Sequence, residues 1–146
     1  MNIRLRLPVV FLAILIASAC GTTQRSKLAP QVSVSADREP YFGSNTEAPL
    51  DLGINITNRA PDPVRVRSIR ITSPGGVQWA IRPLYRIFNQ VIAPGETKSL
   101  LMPAIAIAAS TRITPTEPMT VRVDLVYELQ EKELREIYNF NRIVFD

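Results

Sequence analysis

The feature that most constrains the fold of this chain is an alternation of apolar and polar residues with a period of two. Between residues 50 and 57, every even position is Leu or Ile, whereas the odd positions carry Asp, Gly, Asn and Thr. Successive side chains of a β-strand point to opposite faces of its sheet, so this pattern predicts a strand with one buried and one exposed face. The segments 31–36 and 119–127 repeat the alternation. No long stretch has helical periodicity, and we therefore expect an all-β fold.

The third strand predicted from the sequence contains a β-bulge. Val64 and Val66 are in one phase of the alternation, whereas Ile69 and Ile71 are in the other. One extra residue near Ser68 would return all four side chains to the same face.

Turn signals and weaker patterns divide the rest of the chain. Pro94 and Gly95 have the order that a type II turn prefers. The stretch 85–92 fits neither period, and it is predicted to be either a strand or a short helical turn. The polar run 130–133 is the expected tip of a hairpin, and residues 134–145 are expected to return as one final strand.

Six to eight strands separated by turns predict an Ig-like β-sandwich of about seven strands, spanning residues 31–146. Within residues 50–102, the sequence shows an Asn-Ile-Thr-Asn strand end, a proline turn, a basic and apolar strand, and an Ala-Pro-Gly-Glu turn. This order loosely resembles small extracytoplasmic Ig-like domains, including the water-stress type. The resemblance implies the sandwich fold, and no motif diagnostic of one such family accompanies it.

The N-terminus has the organisation of a secretion signal. Arg4 and Arg6 precede an apolar segment, residues 7–16, that is broken only by a proline. The segment is shorter than the ~20 residues that a helix needs to cross a bilayer, but it has the length of a signal peptide core. Small residues then lead to Cys20, which is the only cysteine.

The run Ile-Ala-Ser-Ala-Cys at residues 16–20 resembles the lipobox of bacterial lipoproteins. In that family, the signal is cut immediately before the cysteine and the thiol is acylated. The resemblance implies that residues 1–19 are removed and that Cys20 carries the lipid. The third position before the cysteine is most often Leu in the family and is Ala17 here. The alternative is an ordinary secretory signal in which Cys20 is incidental.

The lipobox resemblance also implies a location. Gly21 is not the Asp that retains Gram-negative lipoproteins in the inner membrane, so the resemblance implies the outer membrane, with the domain exposed to the periplasm. A Gram-positive host would place the same lipoprotein on its cell membrane. Residues 21–27 are polar and lack periodicity, and residues 20–30 are expected to form a flexible tether. The basic residues of this tether either rest on anionic headgroups or are simply solvated.

Composition excludes several kinds of chemistry. The formal net charge of +4 falls by two when Arg4 and Arg6 are removed with the signal, so the basic character is no sign of nucleic-acid binding. The chain has no histidine, which excludes Ser-His-Asp and Cys-His triads. With Cys20 acylated, no disulfide or cysteine-ligated zinc site is expected. We therefore expect no enzyme activity, no cofactor and no metal.

Arginine offers the clearest candidate for a binding surface. Arg65, Arg67 and Arg70 lie within one predicted strand, and an outward orientation would make them a short basic ridge. The planar guanidinium group suits carboxylate and phosphate ligands. The alternative is that these residues are solvated and discourage pairing at a sheet edge.

A second candidate surface is the apolar run at residues 105–109, which precedes a proline-containing loop predicted at residues 110–118. The run either completes the sandwich or docks on a partner, and we expect it to be buried within the fold.

These observations predict a membrane-anchored lipoprotein that serves as a non-enzymatic accessory or assembly module of a cell-envelope complex. The expected partners are the membrane, through acylated Cys20, and an envelope protein. The alternative is a solitary module that binds glycan or lipopolysaccharide. An enzyme built from carboxylates and arginine is a third class, and it would need a deep pocket with two convergent carboxylates.

Overall fold

The structure, a computed structural model, describes residues 27–74, 78–109 and 120–145. The predicted signal, Cys20, most of the tether and the predicted loop at 110–118 lie outside these residues. In the described part of the chain, no helix is long and apolar enough to cross a membrane. The strands of the described residues are β1 (Gln31–Ala36), β2 (Glu47–Thr57), β3 (Val64–Thr72), β4 (Trp79–Ile81), β5 (Leu84–Ile92), β6 (Thr97–Ala108), β7 (Val121–Leu129), β8 (Lys132–Phe140) and β9 (Val144–Phe145).

The strands form a sandwich of two sheets. The five-stranded sheet has the order β4-β6-β2-β1-β9, and the four-stranded sheet has the order β5-β3-β7-β8. Neighbouring strands are antiparallel except β1 and β9, which are parallel. Strands β1, β2 and β6 lie in one sheet, and strands β3, β7 and β8 lie in the other. Ig-like domains divide their strands in the same way, with strands A, B and E in one sheet and strands C, F and G in the other. The expected all-β, Ig-like sandwich is confirmed, with seven long strands and two short ones.

The alternating residues supply the core between the sheets. Leu52, Ile54 and Ile56 of β2 are fully buried, as are Val123 and Leu125 of β7. Burying one such side chain stabilises a fold by about 1.5–3 kcal/mol. Packing of these two opposed strands is therefore a main source of stability for this sandwich.

Strand β3 contains the predicted bulge. Its register with β7 shifts between Val66 and Ser68, which makes Arg67 the extra residue on β3. As a result, Val66 before the bulge and Ile69 and Ile71 after it are all fully buried. The apolar residues before and after the bulge therefore face the same core, although they are in opposite phases of the alternation in the sequence.

The structure confirms the turn predicted at Pro94 and Gly95. Gly95 has a φ of 74°, and the Glu96 backbone N–H donates a hydrogen bond of 3.0 Å to the Ala93 carbonyl. A positive φ at the third residue of the turn defines type II and favours glycine there. The segment before this turn is strand β5, so residues 85–92, for which a strand and a helical turn were both predicted, form a strand.

The prediction of one final strand over residues 134–145 is wrong. Strand β8 ends at Phe140, and the chain then crosses to the other sheet, where β9 pairs with β1. The crossing buries Ile143, which is 3% exposed, and it places Phe145 against Trp79 with 6.4 Å between ring centroids. Burial of these apolar side chains favours the crossing to the other sheet over an extension of β8 to the end of the chain.

The chain enters the domain at one end of the sandwich. Gln31 pairs with Thr57, and Thr57 pairs with Thr97 on the next strand. Before β1 begins, Ala29 is already buried, and the Tyr138 hydroxyl donates a hydrogen bond to the Pro30 carbonyl. The first strand is thus fixed from both sheets close to the predicted tether.

Candidate functional site

The three arginines predicted to bind a partner lie on the outer face of the four-stranded sheet. Val64 and Val66 point into the core and are fully buried. Arg65, which lies between the two valines, is half-buried. Arg67 and Arg70, which follow Val66, are exposed. The bulge at Arg67 keeps all three guanidinium groups on this face.

Two of these arginines are engaged within the sheet. Arg65 Nη1 donates a hydrogen bond of 3.0 Å to Asn89 Oδ1. Arg67 Nε lies 3.3 Å from Glu128 Oε2 in an ion pair. Exposed contacts of this kind contribute little to stability, but they hold both arginine side chains against the sheet. The Glu128 carboxylate also partly neutralises the charge of Arg67.

Arg70 differs from its two neighbours. Its guanidinium carbon lies 5.5 Å from the centroid of the Tyr85 ring, and the two residues are cross-strand partners in β3 and β5. Within the described residues, no carboxylate forms a salt bridge with Arg70. Stacking on an aromatic face orients a guanidinium while leaving its planar donors available to a ligand.

Strand register groups the residues of the outer face into two rows across the sheet. Residues directly opposite each other on neighbouring strands point to the same face, with their Cβ atoms about 4.5–5.5 Å apart. One row is Ile87, Ser68, Val126 and Arg135, and the next is Tyr85, Arg70, Asp124 and Ile137.

A shallow groove runs between these rows. Two adjoining depressions of about 360 Å³ each share Ser68, Tyr85, Val126 and Glu133 in their linings, so they are continuous. Arg70 and Arg135 line the first depression, and Ile87 lines the second. We call this feature the outer groove, defined by Ser68, Arg70, Tyr85, Ile87, Asp124, Val126, Glu133 and Arg135.

One wall of the outer groove is an ion pair between the buried Asp124 and the exposed Arg135. Arg135 Nε donates a hydrogen bond of 2.7 Å to Asp124 Oδ1, and Arg135 Nη2 donates a second to Oδ2. The hydrogen bonding from Arg135 is the main cause that holds the pKa of Asp124 below its ordinary value, and burial of the carboxyl opposes it. Asp124 therefore stays ionised and has both oxygens engaged.

The groove continues into exposed apolar surface on β5. Ile87 is 73% exposed, Tyr85 is 56% exposed and Val91 is 39% exposed. All three lie on the outer face beside Arg65 and Arg70. Large apolar side chains that cluster beside arginine on one face are typical of interaction surfaces.

The apolar run at residues 105–109 completes the sandwich instead of forming such a patch. Ala106 is fully buried, and Ile105 and Ile107 are half-buried. Residues 105–107 pair with the start of β2, and residues 106–108 pair with β4. The prediction that this run is buried within the fold is confirmed for its inward-facing positions.

Asp124 and Glu133 both line the first depression of the outer groove. Asp124 and Glu128 contact different arginines, Arg135 and Arg67 respectively. In residues 27–74, 78–109 and 120–145, no cluster of three or more potential ligands is arranged to hold a metal ion. The outer groove presents the guanidinium of Arg70, the aromatic ring of Tyr85 and aliphatic side chains.

Sequence reasoning found Arg65, Arg67 and Arg70 but missed Tyr85, Ile87 and Arg135. The stretch containing Tyr85 and Ile87 fits neither periodicity because most of its residues are exposed on an edge strand. The signal available for Arg135 was its place across the hairpin, opposite Val126 and diagonal to Asp124. Hairpin register from the polar tip would have brought it close to Asp124.

No family model and no curated protein matches this sequence. Solved structures with the same fold include Northeast Structural Genomics Consortium target SoR45, with 11% identity, a TM-score of 0.56, and coverage of 82% of this chain and 89% of that one. Another is a Bordetella pertussis protein described as ApaA, with 16% identity, a TM-score of 0.51, and coverage of 82% and 98%. Likeness at this level of identity establishes the β-sandwich fold and carries no function.

Proposed function

We propose that this chain is a lipid-anchored lipoprotein of the cell envelope, which acts as a non-enzymatic accessory or assembly module of a larger complex. The observation that carries the proposal is the outer groove, a surface suited to binding a partner on a small sandwich. The lipobox-like run that ends at Cys20 supports the anchor, and Gly21 supports the outer membrane as its location.

The mechanism is positional. Each buried methylene of an acyl chain contributes about 0.8 kcal/mol to membrane binding, and two or more chains hold a protein firmly. About ten tether residues reach at most ~35 Å when fully extended, so the domain stays near the membrane surface. Tethering raises the local concentration of the groove, and a weak contact then suffices to retain a partner in the same membrane.

The charge pattern of the outer groove favours a protein partner over an anionic polymer. Arg70 and Arg135 are accompanied by Asp124 and Glu133. A phosphate-rich polymer would meet carboxylates as well as guanidinium groups, whereas a protein surface can match both signs of charge. Mixed charge of this kind gives specificity as well as affinity.

The residue content supports a non-enzymatic role. The chain has no histidine, and its one cysteine is Cys20, which the proposal assigns to the lipid. The usual nucleophile and base pairs are therefore missing from the whole sequence. The polar groups of the groove are instead those that orient a docked surface.

The proposal is tested by comparing the wild-type chain with a Cys20→Ser variant in intact cells. Metabolic labelling with an alkyne fatty acid reports acylation, membrane fractionation reports location, and chemical crosslinking with mass spectrometry reports partners. A Ser18→Ala variant, which keeps the cysteine, is the matched control for the signal region.

We expect the wild type and Ser18→Ala to incorporate the fatty acid and to capture one reproducible protein. Cys20→Ser should lose the label and most of that capture. Equal labelling or equal membrane retention in Cys20→Ser would contradict the anchor. Capture of glycan or lipopolysaccharide alone would replace the assembly role with that of a solitary binding module.

A further inference from the structure

We propose that the outer groove binds an extended segment of a partner protein in which an apolar side chain lies two residues from a carboxylate. This inference rests on the proposed function and adds the chemistry of the partner. It follows from an apolar subsite and a cationic subsite that lie side by side on the sheet.

The apolar subsite lies between β5 and β3. Ile87 is 73% exposed, and its cross-strand partner is Ser68. Ser68 is small and is only 8% exposed, so it forms a floor between the larger side chains Ile87 and Val126 on either side of it. An aliphatic or aromatic side chain placed over Ser68 would bury Ile87 without displacing any residue of the sheet.

The cationic subsite is Arg70. Its guanidinium group stacks over Tyr85, which limits its motion. The neighbouring carboxylate of Asp124 accepts hydrogen bonds from Arg135 with both oxygens. The charge of Arg70 helps to lower the pKa of this carboxylate, but the two groups form no ion pair. A carboxylate from outside would complete the bidentate pair that a guanidinium favours.

The spacing of the two subsites defines the ligand. Ser68 and Arg70 lie two residues apart on β3, which corresponds to about 6.6 Å along a strand. The side chains at positions i and i+2 of an extended peptide lie on one face at the same spacing. An extended segment running along β3 would thus place an apolar side chain over Ser68 and a carboxylate at Arg70 together.

The charges of the groove disfavour the other occupants. Glu133 lines both depressions and would repel a phosphate, whereas a peptide tolerates it or matches it with a basic residue. A second copy of this chain docked face to face would bring Arg65, Arg67 and Arg70 towards the same arginines. The carboxylate of the proposed segment is also repelled by Glu133, but it carries a single charge and lies at Arg70, two rows of cross-strand pairs away from Glu133.

The test is site-specific photocrosslinking of the full chain in its own cells. p-Benzoylphenylalanine replaces Ile87 in the groove, or Ser99 on the outer face of the opposite sheet, which is exposed. Each form is combined with Arg70→Glu, Arg70→Gln or Arg59→Glu. Arg59 is an exposed arginine in the loop after β2, so its reversal matches the change in charge but lies away from the groove.

We expect the probe at Ile87 to crosslink one protein, with mass spectrometry placing the crosslink within two residues of an Asp or Glu. Arg70→Glu should lower the crosslink yield at least tenfold and Arg70→Gln severalfold, with Arg59→Glu unchanged. Replacing that partner carboxylate with Lys should restore the yield of the Arg70→Glu form.

Failure of this inference is distinguishable from failure of the proposed function. A protein crosslink that does not depend on Arg70, or that lies far from any carboxylate, overturns the inference and leaves the accessory role in place. Crosslinks only to lipopolysaccharide, glycan or a second copy of the chain overturn the inference and the protein partner. The absence of any crosslink specific to Ile87 overturns the groove as a binding site.

Discussion

Arg135 donates one hydrogen bond to each carboxylate oxygen of Asp124, and this pair joins β7 to β8 at the wall of the outer groove. The two ends of the pair differ in environment, since Asp124 is 8% exposed whereas the Arg135 side chain is 62% exposed. The aspartate is held in place, and the arginine remains accessible above it.

Because of the Asp124–Arg135 pair, we expect the free energy of unfolding to fall at acidic pH. Because the folded-state pKa of Asp124 is lowered, its contribution is present above the ordinary Asp value of about 3.9 and is lost as the pH falls through the folded pKa. Asp124→Asn should therefore lower the free energy of unfolding at pH 7 and reduce its dependence on pH below about 4. Urea unfolding at a series of pH values measures both effects.

The control for Asp124→Asn is Glu39→Gln, which removes an exposed carboxylate that has no hydrogen-bond or ion-pair partner among the described residues. This variant should keep the acid dependence of the wild type. Identical pH profiles for Asp124→Asn and the wild type would contradict the assigned role of the pair.

Of the polar residues, Asn58 is predicted to cost the fold the most stability when it is replaced. It is fully buried, its amide donates to the carbonyls of Asp62 and Ile92, and its side-chain oxygen accepts from the Ala60 N–H. Asn58→Ala leaves these buried groups unsatisfied and should cost about 2–4 kcal/mol of stability in chemical denaturation. Asn45→Ala, at an exposed asparagine, should stay within about 0.5 kcal/mol of the wild type.

The C-terminal strand is predicted to close the core at the Trp79 end. Phe145 stacks near Trp79, whereas the adjacent Val144 is 63% exposed. Phe145→Ala should cost about 1–3 kcal/mol because an apolar contact is lost, and Val144→Ala should cost less than about 0.5 kcal/mol. Equal costs for the two substitutions in denaturation would show that β9 does not pack as described.

Two cationic side chains are predicted to protect the edge of β5 and the facing part of β6 that β4 does not cover. Arg86 Nη1 donates to the Leu101 carbonyl at 3.1 Å, and Lys98 Nζ donates to the Val91 carbonyl at 2.7 Å. Edge strands with free backbone groups pair with other chains. The double variant Arg86→Ser, Lys98→Ser should therefore self-associate more strongly than the wild type in sedimentation velocity as the concentration rises.

The matched control for these edges is the double variant Arg38→Ser, Arg142→Ser, which removes two exposed positive charges elsewhere. If both double variants associate equally, the effect comes from net charge. In that case, the two bridges between β5 and β6 have no protective role.

The strands with strict alternation were predictable because one buried face imposes a period of two on the local sequence. The period of two made β1 and β2 predictable, and a change in its phase made the bulge between Val66 and Ile69 predictable. The turn at Gly95 was predictable for a similar local reason, since its positive φ favours glycine.

The rest of the molecule depends on contacts that no local pattern encodes. Most side chains of strand β5 are exposed, so apolar and polar residues do not alternate regularly along it. The crossing after Phe140 is favoured by Trp79, a residue far away in sequence. The outer groove joins Arg70, Tyr85 and Arg135 from three strands, and only the register between those strands brings them together.

The central claim is that the outer face of the four-stranded sheet holds a partner protein for a lipid-anchored domain. Its most direct test is crosslinking in intact cells of the wild type, of the triple variant Arg65→Glu, Arg67→Glu, Arg70→Glu, and of the charge-matched variant Arg38→Glu, Arg59→Glu, Arg142→Glu. Thermal unfolding of each form confirms that it is folded. The account predicts that only the first triple variant loses the partner, whereas unchanged capture by a folded form of that variant would contradict it.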